Sequence, residues 1–181
     1  NDSDYEEYLR FLKVHSEKFN TEILAYCLMP NHVHLITIPA NEDSLAKAIG
    51  KTHLKYTRMI NLRENWRGYL WQGRSSSYVL DERYLLAAVR YILLNPVKAK
   101  IVKNPWDYKW SSARQHLGTD KSRFVSNKIV NTLVDDWKEF LKTFRNKDNI
   151  CGMKKEPKTT AIEIVKPPFF KKGSLVFSSS K

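Results

Sequence analysis

The stretch MPNHVHLITI, residues 29–38, follows directly on TEILAYCL, residues 21–28, in a chain of 181 residues. Residues 21–29 are short and apolar, which predicts a buried strand. Pro30 at the first central position of a tight turn, with Asn31 behind it, joins this strand to an antiparallel neighbour, HVHLITI, which Pro39 ends. Side chains alternate along a strand, so His32 and His34 share one face while Val33 and Leu35 share the other. Neutral imidazole is the commonest metal ligand near pH 7, and two of them on adjacent same-face positions can converge on one divalent ion. Two ligands are not a full set. A third must come from elsewhere, and the positions left open for water or substrate suit catalysis better than structural support. The plain alternative is two histidines hydrogen-bonded at a sheet surface.

Outward from the hairpin, the pattern turns helical. Upstream, NDSDYEEYLRFLKVHSEKF carries Tyr5, Tyr8, Leu9, Leu12 and Phe19 roughly on one stripe. Ser3 with Glu6 three residues on reads as its capping box. Downstream, SLAKAIGKTHLKYTRMINLR places Leu45, Ala48, Ile49, Thr52, Tyr56, Met59 and Ile60 on the 3.6 period. Its other face holds Lys47, Lys51, Lys55 and Arg58, a row that is a solvated surface or a set of phosphate contacts. NWRGYLWQGRSSSYVL predicts a strand around Tyr69–Gln72, a turn at Gly73 and a short segment to Leu80. Asp81 opens a third helix over residues 81–95. Asn95-Pro96 closes or kinks it, and Pro96 is pre-set for the first position of a further turn. NPWDYKWSSARQHLG reads as a loop followed by a short helix from Ser111 or Ser112. Residues 126–144 predict one more amphipathic helix. The rest is rich in Lys, Pro and Ser, with apolar patches at Ile162–Val165 and Leu175–Phe177.

The bulk numbers bound the function. Hydrophobic content of 42% and 12% aromatics favour a folded domain. The net charge is +12, unevenly spread: residues 1–40 hold 3 Lys/Arg against 6 Asp/Glu, residues 41–118 hold 14 against 6, and residues 119–181 hold 14 against 7. A basic middle and tail point to a polyanion partner, above all nucleic acid. No apolar run reaches the roughly 18 residues of a membrane span, and no signal-peptide pattern opens the chain. Cys27 and Cys151, far apart, read as reduced thiols, consistent with a cytoplasmic location.

Tyr91 and Asn95 are four residues apart in RYILLNPVKA, residues 90–99, and so lie about one helical turn apart on one side. On local grounds a core tyrosine and a capping asparagine explain them better than any chemistry does. Taken together, AYCLMPNHVHLI, LWQGRSSSYVL, RYILLNPVKA and WSSARQHLG, in that order and spacing, closely resemble the REP-associated tyrosine transposases, single-tyrosine HUH enzymes of prokaryotic insertion sequences. The match spans roughly residues 4–118. That makes 1–118 the expected catalytic domain and 119–181 a basic C-terminal helix and tail of unknown role.

The resemblance implies an α+β fold: a ferredoxin-like antiparallel sheet with helices packed on one face, plus a C-terminal helical or irregular extension. It implies that His32 and His34 are the HUH pair, Tyr91 the nucleophile and Asn95 a third metal ligand, with Mg²⁺ or Mn²⁺ as the divalent metal. The implied reaction is nicking and rejoining of single-stranded DNA through a 5′-phosphotyrosine, on hairpins of palindromic repeats. The phenolate it would release on rejoining is a far better leaving group than an alkoxide, so the bond energy is kept. Lys51, Lys55, Arg58 and Arg74 are the expected phosphate contacts, and Tyr69, Trp71 and Trp110 are candidates to stack on unpaired bases. A non-cutting DNA-binding or regulatory module on the same fold is the competing reading, and one copy or two per active unit both fit the sequence. Two departures stand out. Family members usually carry a strand ahead of the first helix, and the sequence here starts at or after that strand's end; without that strand the sheet would have an open edge. Lys100 also occupies a position where the family often has a glycine.

Overall fold

A computed structural model of the chain describes residues 1–71, 75–120, 122, 124–126, 128–142 and 161–165. Arg74, the turn at Gly73, Cys151 and the patch Leu175–Phe177 lie outside the described residues.

Helix α1 spans Asp2–Lys18. Its cap is Asn1 rather than Ser3: the Asn1 side chain accepts from the Asp4 amide at 3.1 Å, and the Asp4 carboxylate accepts from the Asn1 nitrogen at 2.9 Å. Asparagine satisfies an orphan helical N–H as well as serine does, and the helix starts two residues earlier because of it. Tyr8, Phe11 and Leu12 are its buried stripe. The second helix, α2, spans Ser44–Glu64, buries Ala48, Ile49, Thr52, Tyr56 and Ile60, and packs beside α1. Arg63 near its end pairs with the Asp4 carboxylate, and Asn65 closes it in the left-handed conformation at φ +53°.

Strands β1 (Thr21–Met29) and β2 (His32–Pro39) form the expected hairpin, with Met29 opposite His32 and Cys27 opposite His34. Consecutive residues of both strands are buried, from Ile23 to Met29 and from Val33 to Thr37, so the hairpin is covered on both faces. Leu24, Leu28, Leu35 and Ile36 are fully buried there with Ile49, Ile92 and Leu93 from the helices. Each such side chain contributes about 1.5–3 kcal/mol relative to exposure. Strand β3 is Ser76–Val79 and β4 is Ala161–Val165. The sheet order is β1-β2-β4-β3, with β4 antiparallel to both its neighbours and Val33 opposite Val165. Neither edge of β2 is open. The architecture is α+β, an antiparallel sheet with helices packed against it, as the sequence implies.

Three local expectations are corrected. Tyr69–Trp71 forms no strand: the Trp71 indole N–H donates to Thr57 Oγ1 at 3.0 Å, anchoring this segment on α2, and the strand comes later, at β3. The helix expected over 126–144 is two short ones, α6 (Lys128–Asn131) and α7 (Trp137–Lys142). Asp136 breaks it, because its carboxylate accepts from the Glu139 amide at 2.9 Å and so begins a new helix. The helix from Asp81 opens with a 3₁₀ turn, Glu82–Tyr84, before α3 (Leu85–Leu93).

The fourth sequence motif, WSSARQHLG, is a strap along the outer edge of β1. The Leu28 amide donates to the Trp110 carbonyl (2.8 Å) and the Ser112 amide to the Tyr26 carbonyl (3.0 Å), and beyond the motif the Ser126 amide donates to the Ile23 carbonyl (2.8 Å). The Tyr26 amide donates to Ser112 Oγ at 3.0 Å. Helix α5 (Ala113–His116) follows from Ser112, and the Gln115 amide group donates to the Tyr26 hydroxyl while its Oε1 accepts from the Val125 amide. Edge-strand polar groups that would template another chain are thereby satisfied.

Candidate active site

Strand β2 and helix α3 position the cluster. The strand's alternation aims His32 and His34 to the same side, and their Nε2 atoms stand 2.8 Å apart. Helix α3 packs on β1 and β2 and carries Tyr91 to the ring of His34, edge-on with centroids 6.1 Å apart. Leu94 then interrupts the helix for one residue. Pro96 has no N–H to continue the ladder, and α4 (Asn95–Lys98) restarts at once. Asn95 does not cap it: the N-cap is Leu94, without a side-chain bond, and the Asn95 amide group lies 3.1 Å from His34 Nε2. His32, His34, Tyr91 and Asn95 are therefore neighbours, although 63 positions separate the first from the last.

The chemistry of these groups suits a cation. His32 Nδ1 sits 2.6 Å from Asn31 Oδ1, a carbonyl oxygen that can only accept, so Nδ1 carries a proton and, when the ring is neutral, Nε2 holds the lone pair. Burial, reinforced by the neighbouring His32, pushes the His34 imidazole down to about 3, so it is neutral at pH 7. Two ligands about 2.1 Å from one ion at right angles stand about 3.0 Å apart. The spacings of 2.8 Å and 3.1 Å match that edge length, and a half-turn of the Asn95 amide presents Oδ1 to the same point. His34 Nδ1 is buried with no hydrogen-bond partner among the described residues. Among the described residues no group of three or more His, Cys, Asp or Glu could hold a metal, and the Asn95 amide is the further polar side chain that lies beside His34 Nε2. Two contributors were missed in the sequence. Asn31 read only as a turn residue, and Lys98, whose ammonium lies 4.3 Å from the centroid of the Tyr91 ring, read only as part of a basic surface.

The other expected residues lie elsewhere. Lys51, Lys55 and Arg58 are exposed on α2, and no described contact links them to the histidine cluster. Trp110 is buried and stacked on Tyr5 at 4.7 Å, which makes it core rather than a base platform. Trp71 is half-buried, stacked on His53 at 3.7 Å. Tyr69 is 98% exposed.

Residues 1–95, which end on Asn95 and include both histidines and Tyr91, match the family "Transposase IS200 like". The chain belongs to this transposase family. It is 30% identical over 122 residues to a Haemophilus influenzae protein named as a REP-associated tyrosine transposase, covering 61% of this chain and 69% of that one. It is 29% identical over 92 residues to the REP-associated tyrosine transposase of Escherichia coli K12, covering 50% of this chain and 53% of that one. No solved structure matches it. Membership makes DNA the partner class, in keeping with the net charge of +12. No helix among the described residues is long and apolar enough to cross a membrane.

Proposed function

We propose that the protein nicks and rejoins single-stranded DNA with a divalent metal, through a covalent 5′-phosphotyrosine on Tyr91, acting on hairpins of palindromic repeats. The observation that carries this reading is the meeting of β2 and α3, where two imidazoles, an amide and a phenol share one corner of the sheet. His32, His34 and Asn95 would hold Mg²⁺ or Mn²⁺. When bound, the ion supplies Lewis-acid polarisation of a non-bridging oxygen of the scissile phosphate.

The protein's own residues do the rest. The Tyr91 oxygen attacks phosphorus. The new O–P bond replaces the P–O3′ bond, the phenol proton is lost and the departing 3′-oxygen takes one up. One phosphodiester replaces another, so a later 3′-hydroxyl reverses the step without an external energy source. Asn31 fixes the tautomer of His32, and burial keeps His34 uncharged. Lys51, Lys55 and Arg58 would hold flanking phosphates, and each such contact steepens the salt dependence of binding.

The test is a gel. A 3′-labelled, REP-type hairpin oligonucleotide is incubated with the full chain and Mn²⁺ and resolved under denaturing conditions. The expected result is a covalent protein–DNA band that Tyr91→Phe, His32→Ala and His34→Ala abolish. DNA shifted in a native gel with no covalent band from the unaltered protein would instead establish a non-cutting DNA-binding module.

A further inference from the structure

Lys98 is the fourth residue of α4, seven positions beyond Tyr91 and one turn beyond Asn95. Its ammonium lies 4.3 Å from the Tyr91 ring centroid. The side chain is exposed, whereas Tyr91 and Asn95 are half-buried and His34 is buried, so the cation stands at the solvent side of the cluster, where a DNA strand has to enter. Pro96 and the restarted helix α4 fix this placement, because the short turn that carries Asn95 to His34 also carries Lys98 over the ring. The Ala99, Lys100 and Ile101 amides tie the end of α4 down, donating to the Asn95, Val97 and Pro96 carbonyls at 2.8–2.9 Å.

Resting on the strand-cleavage reading above, we propose that Lys98 is a further catalytic residue, whose ammonium binds a non-bridging oxygen of the phosphate that Tyr91 attacks. A phosphodiester carries one negative charge. At the five-coordinate transition state the phosphoryl oxygens gain a second as the nucleophile adds. A cation held against the nucleophile's own ring meets that charge where it develops, and it needs no reorganisation to do so. It serves the reverse reaction equally, since rejoining passes through the same transition state. The cation–π contact keeps the ammonium at the phenol between turnovers. Lys51, Lys55 and Arg58 on α2 have no described contact with the cluster, so Lys98 is the basic side chain that the described contacts place against the nucleophile.

The experiment compares the full chain with Lys98→Met and Lys98→Arg, using the 3′-labelled hairpin and Mn²⁺ under single-turnover conditions. Lys98→Met keeps the length of the stem and removes the charge. It is expected to slow covalent adduct formation about 100-fold, the cost of removing one preorganised transition-state partner. DNA affinity, measured by anisotropy, is expected to stay within about threefold. Lys98→Arg is expected to recover most of the rate. A second substrate separates charge stabilisation from a structural role: with a methylphosphonate at the scissile linkage, one charged oxygen is gone and the penalty of Lys98→Met shrinks. Adduct formation by Lys98→Met at the unaltered rate overturns the inference alone. So does an equal penalty on both substrates, or a loss of rate that only tracks a loss of affinity. Absence of any adduct from the unaltered protein overturns the strand-cleavage reading, and this inference with it.

Discussion

Substituting Ser112→Ala tests whether the strap on β1 is an integral part of the fold. Ser112 is fully buried. Its Oγ accepts from the Tyr26 amide at 3.0 Å, donates to the Tyr26 carbonyl at 3.3 Å and lies 3.3 Å from His116 Nε2. In the alanine variant the Tyr26 carbonyl keeps its second partner, the Ser112 amide at 3.0 Å. The Tyr26 amide loses the acceptor it has on this edge. A buried N–H left without an acceptor costs about 1–3 kcal/mol, while the missing oxygen leaves a space too small for water. Taking about 2 kcal/mol, and a midpoint shift of about 2–4 °C per kcal/mol for a chain of this size, Ser112→Ala should melt about 4–8 °C lower. Urea unfolding should show a lower midpoint with an unchanged slope. Ser111→Ala is the control, since Ser111 Oγ makes only long contacts, 3.3 Å to the Tyr108 carbonyl and 3.4 Å from the Ala113 amide. It should cost less than half as much. If Ser112→Ala changes stability by less than about 0.5 kcal/mol, the range of an ordinary surface substitution, the strap does not hold β1 in the way described.

Other outcomes follow from single residues. Lys100 sits at φ +57° in a Schellman turn, where a side chain is strained, so Lys100→Gly should stabilise the protein by about 1 kcal/mol in urea unfolding. Burial pushes His116 down to about 4, below the roughly 6.5 of an unfolded imidazole. The stability gained by keeping it neutral is complete above pH 6.5 and is lost as the pH falls toward 4. Between pH 7 and 5, His116→Gln should therefore lose about 1–2 kcal/mol less than the unaltered protein. Asn31→Ala frees the His32 tautomer and should weaken Mn²⁺ binding about tenfold by calorimetry, with the melting temperature nearly unchanged.

The hairpin and the helix faces were legible because they depend on local alternation and period. Pro30-Asn31 fixed the turn, and with it the shared side of His32 and His34. Tyr91 and Asn95 were visible as a one-turn pair, yet nothing local could show that the Asn95 side chain reaches across to β2 instead of capping α4. Long-range contacts of this kind carry no periodic signal. The same holds for Ser112, which reads as an ordinary helix start and turns out to bond an edge strand 86 residues away. The place of Ala161–Val165 between β2 and β3 was equally hidden, since a five-residue apolar patch fits any sheet edge. Trp110 and Tyr69 exchange prospects for one reason: exposure depends on what packs nearby, and only Trp110 finds Tyr5. Lys98 illustrates the converse, a residue read as generic charge until the turn at Pro96 places it against a phenol.

The most direct measurement of the central claim is to map the residue that DNA modifies. The full chain is reacted with the hairpin oligonucleotide and Mn²⁺, digested with nuclease and protease, and the nucleotide-bearing peptide is sequenced by mass spectrometry. The account predicts a phosphonucleotide on the Tyr91 oxygen, lost together with His32 or His34. Modification of a different tyrosine, such as the exposed Tyr69 or Tyr84, or cleavage of the strand with no protein-linked nucleotide, would contradict it.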